Sequence, residues 1–364
     1  MADIESSGQA NLEATIRRAL ELGINHIETA RGYGTSEMQL GQILPTLPRE
    51  ELIVQTKVAP SPDPTTFLAD FETSMNYLNL DRVELLGLHG INNEEILHWA
   101  IRPGGCLDAA RKLVDQGRVG HVGFSTHGSR AVIREAINTG GFDYVNLHWY
   151  FVNDLNWCAI EDATRHDMGV FIISPNDKGG KLYAPPERLT SLCAPLSPMV
   201  FNTLYCLARP EVHTLSMGAA QPSDFDEHIL AVRQIERAAE LSEPVAQRLR
   251  ERVSEICGDT WNADWFVGLP EPEALHNQVN VLEIVRLWTY AKALDMVDFG
   301  QMRYNLLGNA DHWFPGNHMS SATDMDALLG ALSESPYQSR MQDILTEAHD
   351  LLHADAVARL SESD

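Results

Sequence analysis

Cysteine is sparse and unpatterned in this chain: Cys106, Cys158, Cys193, Cys206 and Cys257 are odd in number and none belongs to a CxxC pair. That argues against a disulfide framework or a structural zinc motif and points to a reducing compartment. Basic residues are also short, 27 Lys and Arg against 51 Asp and Glu, for a net charge of −24. Such a surface repels nucleic acid and anionic membrane alike, which leaves a small molecule as the expected partner. No apolar run approaches ~18 residues and no signal-peptide core opens the chain, so a soluble cytoplasmic protein with no membrane partner is expected. A glycine-rich phosphate turn is missing too. Arg31-Gly32-Tyr33-Gly34 lacks the GxGxxG pattern, which argues against a doubly wound dinucleotide fold.

What is present is alternation. A helical segment at 9–22 carries Leu12, Ile16, Ala19 and Leu20 on one face and ends at Gly23, before a strand-like run Ile24 to Glu28. Ser36 and Gln39 have capping-box spacing for a second helix. Strands are expected at 52–58, 83–89, 119–125, 144–149, 169–175 and 213–220, separated by helical patterns, with a helix-poor connection before the last. Seven strands at roughly 30-residue spacing imply parallel pairing through right-handed crossovers. The fold expected is α/β, a (β/α)8 TIM barrel whose first strand is missing or atypical, with a C-terminal helical extension. The boundary is placed near residue 240, giving a barrel over 1–240 and an extension over 241–364. The short segment at 2–4 is one substitute for the absent strand. In the extension, helices are expected at 244–257, 279–294 and 341–352, with ordered loops at 258–277 and 308–322.

In a parallel barrel the chemistry sits at the carboxyl ends of the strands. Period-two alternation puts Glu28, Lys57 and His89 at three consecutive strand ends pointing into one mouth, with Tyr33 in the first loop. Taken singly, these read as a surface ion pair, a structural histidine and a packed tyrosine. Their order on successive strands is what makes them a candidate acid/base set. His127 and His148, with His89, also invite a metal reading. No carboxylate accompanies them, and no metal ion is expected there.

GINHIETARGYGTSE at 23–37 resembles the aldo/keto reductase motif of GIN, two apolar residues, D-T-A and, two residues on, Y-G. The resemblance continues through TKV at 56–58, LLGLHG at 85–90, GRVGHVGFS at 117–125 and SMGAAQPSDFDEHI at 216–229, covering roughly residues 10 to 230. It implies an NAD(P)H-dependent carbonyl reductase acting on an aldehyde or ketone. In it Tyr33 matches the general acid, Lys57 the lysine whose charge eases proton release, and His89 the histidine that orients the carbonyl. Glu28 stands where the family carries an aspartate, one methylene shorter. The resemblance further implies nicotinamide contacts at Ser125 and Asn146 and pyrophosphate contacts at Ser174, Lys178, Gly179, Gly180 and Lys181. It places adenosine contacts at Gly218, Gln221 and Glu227, with His228 in place of an asparagine. NADPH is the cofactor it implies, NADH being possible, since no Lys or Arg lies between 210 and 232 to clamp a 2′-phosphate.

Residues 281–317 are similar to the C-terminal region of a subgroup of that family carrying a ferredoxin-like iron–sulfur region. Here Cys257 is followed by Thr260 and Ala263 where further cysteines would stand, so no iron–sulfur cluster is expected. Trp261, Trp265, Trp288 and Trp313 are then expected to fill space or close the substrate mouth, and Trp149, Phe151 and Tyr183 suggest an aromatic-lined pocket. The alternative reading is a catalytically impaired barrel serving as a binding or interaction module. It is favoured by Glu28, the lost cysteines and the absent first strand.

Overall fold

The computed structural model describes residues 6–354. Segment 2–4, the suggested stand-in for a first strand, lies outside the described residues. Seven strands form one parallel sheet in sequential order: β1 (His26–Glu28), β2 (Ile53–Val58), β3 (Val83–Leu88), β4 (Val119–Ser125), β5 (Tyr144–Leu147), β6 (Gly169–Ile173) and β7 (Thr214–Ser216). All seven match strands expected from the sequence, most of them shortened at their C-terminal ends. Helices fill the crossovers, among them Pro64–Leu78, Cys106–Asp115, Arg130–Asn138 and Trp157–Arg165. The inner strands are buried along nearly their whole length, as strands covered on both faces must be.

The sheet curls into a barrel. Asn146 on β5 reaches across the interior to donate to Glu28 Oε2 on β1 at 3.0 Å, and the Ser216 hydroxyl on β7 also donates to the Glu28 carboxylate. Among the described residues β1 and β7 share no backbone ladder, so this seam is closed by side chains. Helix Ser6–Glu21 reinforces it by packing on the turn Pro222–Phe225, where Asn11 Nδ2 donates to the Ala220 carbonyl at 2.5 Å. Both seam strands are only three residues long, which leaves little unpaired edge.

The described chain divides into two compact units. The barrel unit runs to Trp149 and adds Leu155–Ser174 and Arg209–Gln234; the second holds Tyr150–Asp154, Pro175–Ala208 and the chain from Ile235 on. Within the second unit, helix Val281–Leu294 packs against Ala238–Cys257 and Gln338–Leu352. Trp261 is fully buried, with Trp288 at 5.6 Å and Tyr337 at 4.6 Å between ring centroids, so these aromatics fill the core of this unit. Phe151 does the same, against Phe201, Tyr205 and Tyr290, and Tyr183 is exposed.

Local expectations needed correction at four places. The connection before β7 is not helix-poor: it contains Glu187–Cys193 and Pro198–Leu207. Ser197 caps the latter by accepting from Val200 N–H at 3.2 Å and Pro198 opens it, but the helix is buried all round, so no 3.6-residue stripe marked it. Pro244 does not begin its helix, which starts at Ala238; the missing N–H forfeits one bond in an early turn. Thr35, not Ser36, precedes the second helix, and the Ser36 hydroxyl pairs with Thr29 instead of capping. Inside the 258–277 loop an α-helical turn, Trp261–Asp264, and a 3₁₀ turn, Pro272–Ala274, form.

Gly123 on β4 lies against the Tyr144 ring, and an added Cβ would fall 2.5 Å from that ring and from the Tyr144 carbonyl. Gly123→Ala is expected to destabilise the barrel by about 1–3 kcal/mol, as overpacking of a filled interior does. Denaturant unfolding followed by circular dichroism measures it.

Candidate active site

The interior of a parallel barrel is ordinarily a stack of branched apolar side chains. Here the layers nearest the strand ends are polar. Glu28 and Gln55 are register partners, and Lys57 pairs in register with Gly87, whose missing side chain leaves room for the lysine. A Cβ on Gly87 would sit 3.1 Å from Lys57 Cγ. Lys57 is 1% exposed, and a charge so deep requires a partner. Its Nζ lies 2.7 Å from Glu28 Oε1, donates to the Thr29 carbonyl at 3.0 Å and stands 3.5 Å from the Tyr33 hydroxyl.

The extra methylene of Glu28 has a use. One carboxylate oxygen meets Lys57, while the other takes Asn146 Nδ2, and Ser216 adds a further bond. Asn146 is held in turn by Gln55, whose Nε2 donates to Asn146 Oδ1 at 2.9 Å and whose Oε1 pairs with His26 Nε2 at 3.0 Å. A hydrogen-bonded line therefore runs from His26 through Gln55, Asn146, Glu28 and Lys57 to Tyr33. Burial works to raise the Glu28 carboxyl, but the charge and hydrogen bond of Lys57 outweigh it and hold the group below its ordinary range. For Lys57, burial pulls down, while Glu28 and then Tyr33 pull up, leaving the ammonium above its ordinary value.

The loop that presents Tyr33 is pinned rather than slack. Arg31 Nη1 meets the buried Glu37 at 3.0 Å, Thr56 Oγ1 donates to the other Glu37 oxygen at 2.6 Å, and the Arg31 N–H donates to the Lys57 carbonyl at 2.8 Å. The Arg31 guanidinium also lies over the Tyr77 ring at 4.6 Å. Tyr33 is left 39% exposed, edge-on to His89 with ring centroids 5.5 Å apart. An exposed phenol backed by a buried ammonium and flanked by an imidazole can give a proton to a ligand at the mouth and have its charge compensated from behind.

Glu28, Tyr33, Lys57 and His89 thus converge, as the strand-end parity implied. Ser125 adjoins them: its Oγ accepts the Gly90 N–H at 3.0 Å. Residues 4–158 match the sequence profile of the Aldo/keto reductase family. That match spans strands β1 to β5 and less than half of the chain. It is 24% identical to L-galactose dehydrogenase of Arabidopsis thaliana over 70% of this chain and 87% of that protein. Its fold is similar to an aldo-keto reductase from Bacillus halodurans in the holo form, with 20% identity, a TM-score of 0.58, and 66% of this chain and 87% of the other covered. It is also similar to an aldo/keto reductase from Klebsiella pneumoniae solved with NADP and acetate, with 17% identity, a TM-score of 0.53, and 66% and 88% covered. These structural likenesses carry the fold.

The remaining positions named from the resemblance are spread more widely. Ser174 ends β6 with a left-handed backbone and donates its N–H to the Ser216 carbonyl at 3.1 Å. Gly218, Gln221 and Glu227 follow β7, where the Asp224 carboxylate accepts the N–H groups of Ala220 and Gln221. Lys178, Gly179, Gly180 and Lys181 belong to the second unit. There the Gly180 and Lys181 N–H groups turn onto the Asp177 carbonyl, and Lys181 lies 3.8 Å from Asp298. His127 and His148 hydrogen-bond each other at 2.9 Å, and Trp149 is buried beside Trp157. Sequence reasoning missed Thr29, Gln55 and Ser216 as partners of the site. Gln55 carried a signal, being a polar residue that shares the inward parity of Lys57.

Removing one member of a buried pair leaves the other charge uncompensated, at a cost of about 3–5 kcal/mol. Lys57→Met is expected to lose that much stability, and Glu28→Gln/Lys57→Met to recover most of it, in urea unfolding at neutral pH. Glu28 is depressed in the fold, so its contribution is complete above the unfolded value of ~4.3 and is lost as pH falls through the lower folded value. Lys57 is raised, so its contribution is complete below ~10.4 and is lost as pH rises through the folded value. The stability plateau of the wild type is therefore expected between those limits, and a wild-type optimum below pH 4 in the same measurement contradicts the pair.

Proposed function

We propose that this chain is an aldo/keto reductase, an NAD(P)H-dependent carbonyl reductase in which Tyr33 is the general acid. The observation that carries the reading is Lys57 Nζ, buried 2.7 Å from Glu28 and 3.5 Å from the hydroxyl of a half-exposed Tyr33. The donor chemistry fits a nicotinamide cofactor with one adjustment. Asn146 already gives one amide hydrogen to Glu28 and accepts from Gln55, so Ser125 would share with it the holding of the carboxamide. Ser174, Gly218, Gln221 and Glu227 would line the rest of the cofactor's course. When bound, the reduced cofactor supplies hydride to the carbonyl carbon. Tyr33 gives its proton to the carbonyl oxygen, Lys57 balances the tyrosinate, Glu28 fixes Lys57, and His89 orients the oxygen.

Glu28 reaching its lysine speaks for this reading over a catalytically impaired barrel used as a binding module. Residues 241–364 are in this view a helical extension descended from a ferredoxin-like region. The first substrates to test are aldehydes, ketones and aldoses, the last because the Arabidopsis relative is named for a hexose.

Tyr33→Phe is expected to lower kcat by ~10²- to 10⁴-fold, the range of a lost general acid, while NADPH still quenches protein fluorescence on binding. Failure of both NADPH and NADH to bind overturns the reading. Glu211, Asp224, Asp226 and Glu227 give 210–232 acidic but no basic residues. We therefore expect NADPH and NADH dissociation constants within about tenfold, a difference of ~1.4 kcal/mol; a much larger NADPH preference contradicts the absent clamp.

A further inference from the structure

Three histidines, one of them some thirty residues before the other two, meet in the second unit. His318, His349 and His353 each bring a ring nitrogen to one place, all within 4.8 Å of one another. His349 lies in the last turn of helix Gln338–Leu352, and His353 follows its end, giving the i, i+4 spacing that puts two imidazoles on one helix face. Their rings are stacked at 4.5 Å and 16°, with His318 completing the group 5.2 Å from His353 and 6.2 Å from His349. From these residues we infer a binding site for one divalent late transition-metal ion, with Zn²⁺ the natural occupant.

Four observations carry it. First, the rings are oriented by the groups behind them. His318 Nδ1 bonds the Met319 carbonyl at 2.6 Å and His349 Nδ1 bonds the Tyr304 hydroxyl at 2.8 Å, which leaves Nε2 of each as the ligand atom. Metal-bound histidines are held in this way, by a carbonyl or hydroxyl on the far nitrogen. Second, the Tyr304 ring stacks on His318 at 5.5 Å and its hydroxyl accepts the Met319 N–H at 3.3 Å, so one buried residue orients two ligands. Third, the frame is fixed. Asn305 Nδ2 donates to the Leu352 carbonyl at 2.9 Å, its Oδ1 accepts the Ala354 N–H at 2.9 Å, and Gln301 donates to the Leu351 carbonyl at 3.3 Å. Fourth, the site sits at a helix carboxyl end, where the aligned peptide dipoles favour a cation.

Three imidazoles with no carboxylate or thiolate suit zinc, nickel or copper rather than magnesium or calcium. Tetrahedral Zn–N bonds of ~2.0–2.1 Å place ligand nitrogens ~3.3 Å apart, so modest χ rotations draw the set together. His353 is exposed, which gives the ion an entrance and a solvent-facing fourth position. In the absence of an ion three imidazoles have little reason to crowd; with one, the end of the last helix is clasped to the 308–322 segment.

Isothermal titration of the full chain with ZnCl₂ tests this at neutral pH, with thermal unfolding run alongside. We expect a single equivalent to bind and to raise the melting temperature. An outer partner of a metal ligand is worth about 10- to 100-fold in affinity, so His353→Ala and His318→Ala are expected to weaken binding by at least tenfold. His276→Ala, at an exposed histidine of the same unit outside the cluster, is expected to change nothing. His353 lies beyond the helix and should tolerate replacement, and its metal-free melting temperature checks that the variant folds. Absence of a stoichiometric heat in the wild type overturns the site, as does equal binding by the wild type and a folded His353→Ala protein.

Discussion

A lysine ammonium inside a protein barrel is an expensive object, and much of the site follows from how Lys57 is made tolerable. Its charge is met by Glu28, its remaining donors by Thr29 and Tyr33, and its stem by the space that Gly87 leaves open. Those solutions come from β1, the loop that follows it and β3. The pair therefore fixes the relative position of β1, β2 and the Tyr33 loop more tightly than the β1–β2 ladder of three residues could alone. Specification of one arrangement, rather than net stability, is the contribution such a pair makes in a barrel that apolar packing could otherwise fill.

Around the pair the barrel trades apolar layers for a line of polar groups. Gln55 and Asn146 are fully buried and give their amides to one another and to the carboxylate, so neither is left unsatisfied by being inside. Burial pulls the His26 imidazole below its ordinary value even though Glu28 and Gln55 favour its charged form, which makes it a neutral terminus for the line. Tyr144, stacked on Phe171 at 5.0 Å, closes the interior beside this line, its phenol raised well above the ordinary range by burial and then by Glu28. The Tyr33 end of the line is thus backed by a wall of defined hydrogen bonds.

How much of this could be read beforehand differs by residue. The inner strands were legible because they are buried apolar runs between turn residues, and Glu28, Lys57 and His89 were legible because period-two parity is local information. The bond from Asn146 to Glu28 was not, since it joins positions 118 residues apart and depends on the curl of the sheet. Helix Pro198–Leu207 was hidden by its own burial, which erases the amphipathic stripe, although its Ser-Pro start was in plain view. The histidines at 318, 349 and 353 were unremarkable in sequence. One of them lies in an irregular segment, and only the docking of two helix ends brings it to the others.

The seam between β1 and β7 has a mechanical meaning. Elsewhere in the sheet, separating two strands breaks a row of backbone hydrogen bonds; here it breaks a hydroxyl-to-carboxylate bond and a side-chain contact at the turn beyond β7. Among the described residues the sheet is thus a ring with one slot that no backbone ladder spans. Glu28 forms one lip of that slot and Ser216 the other, so any widening alters the counter-charge of Lys57 first. A strain applied at the outer wall, by helix Ser6–Glu21 or by the turn it rests on, is thereby delivered to the ammonium behind Tyr33 without passing through the rest of the sheet.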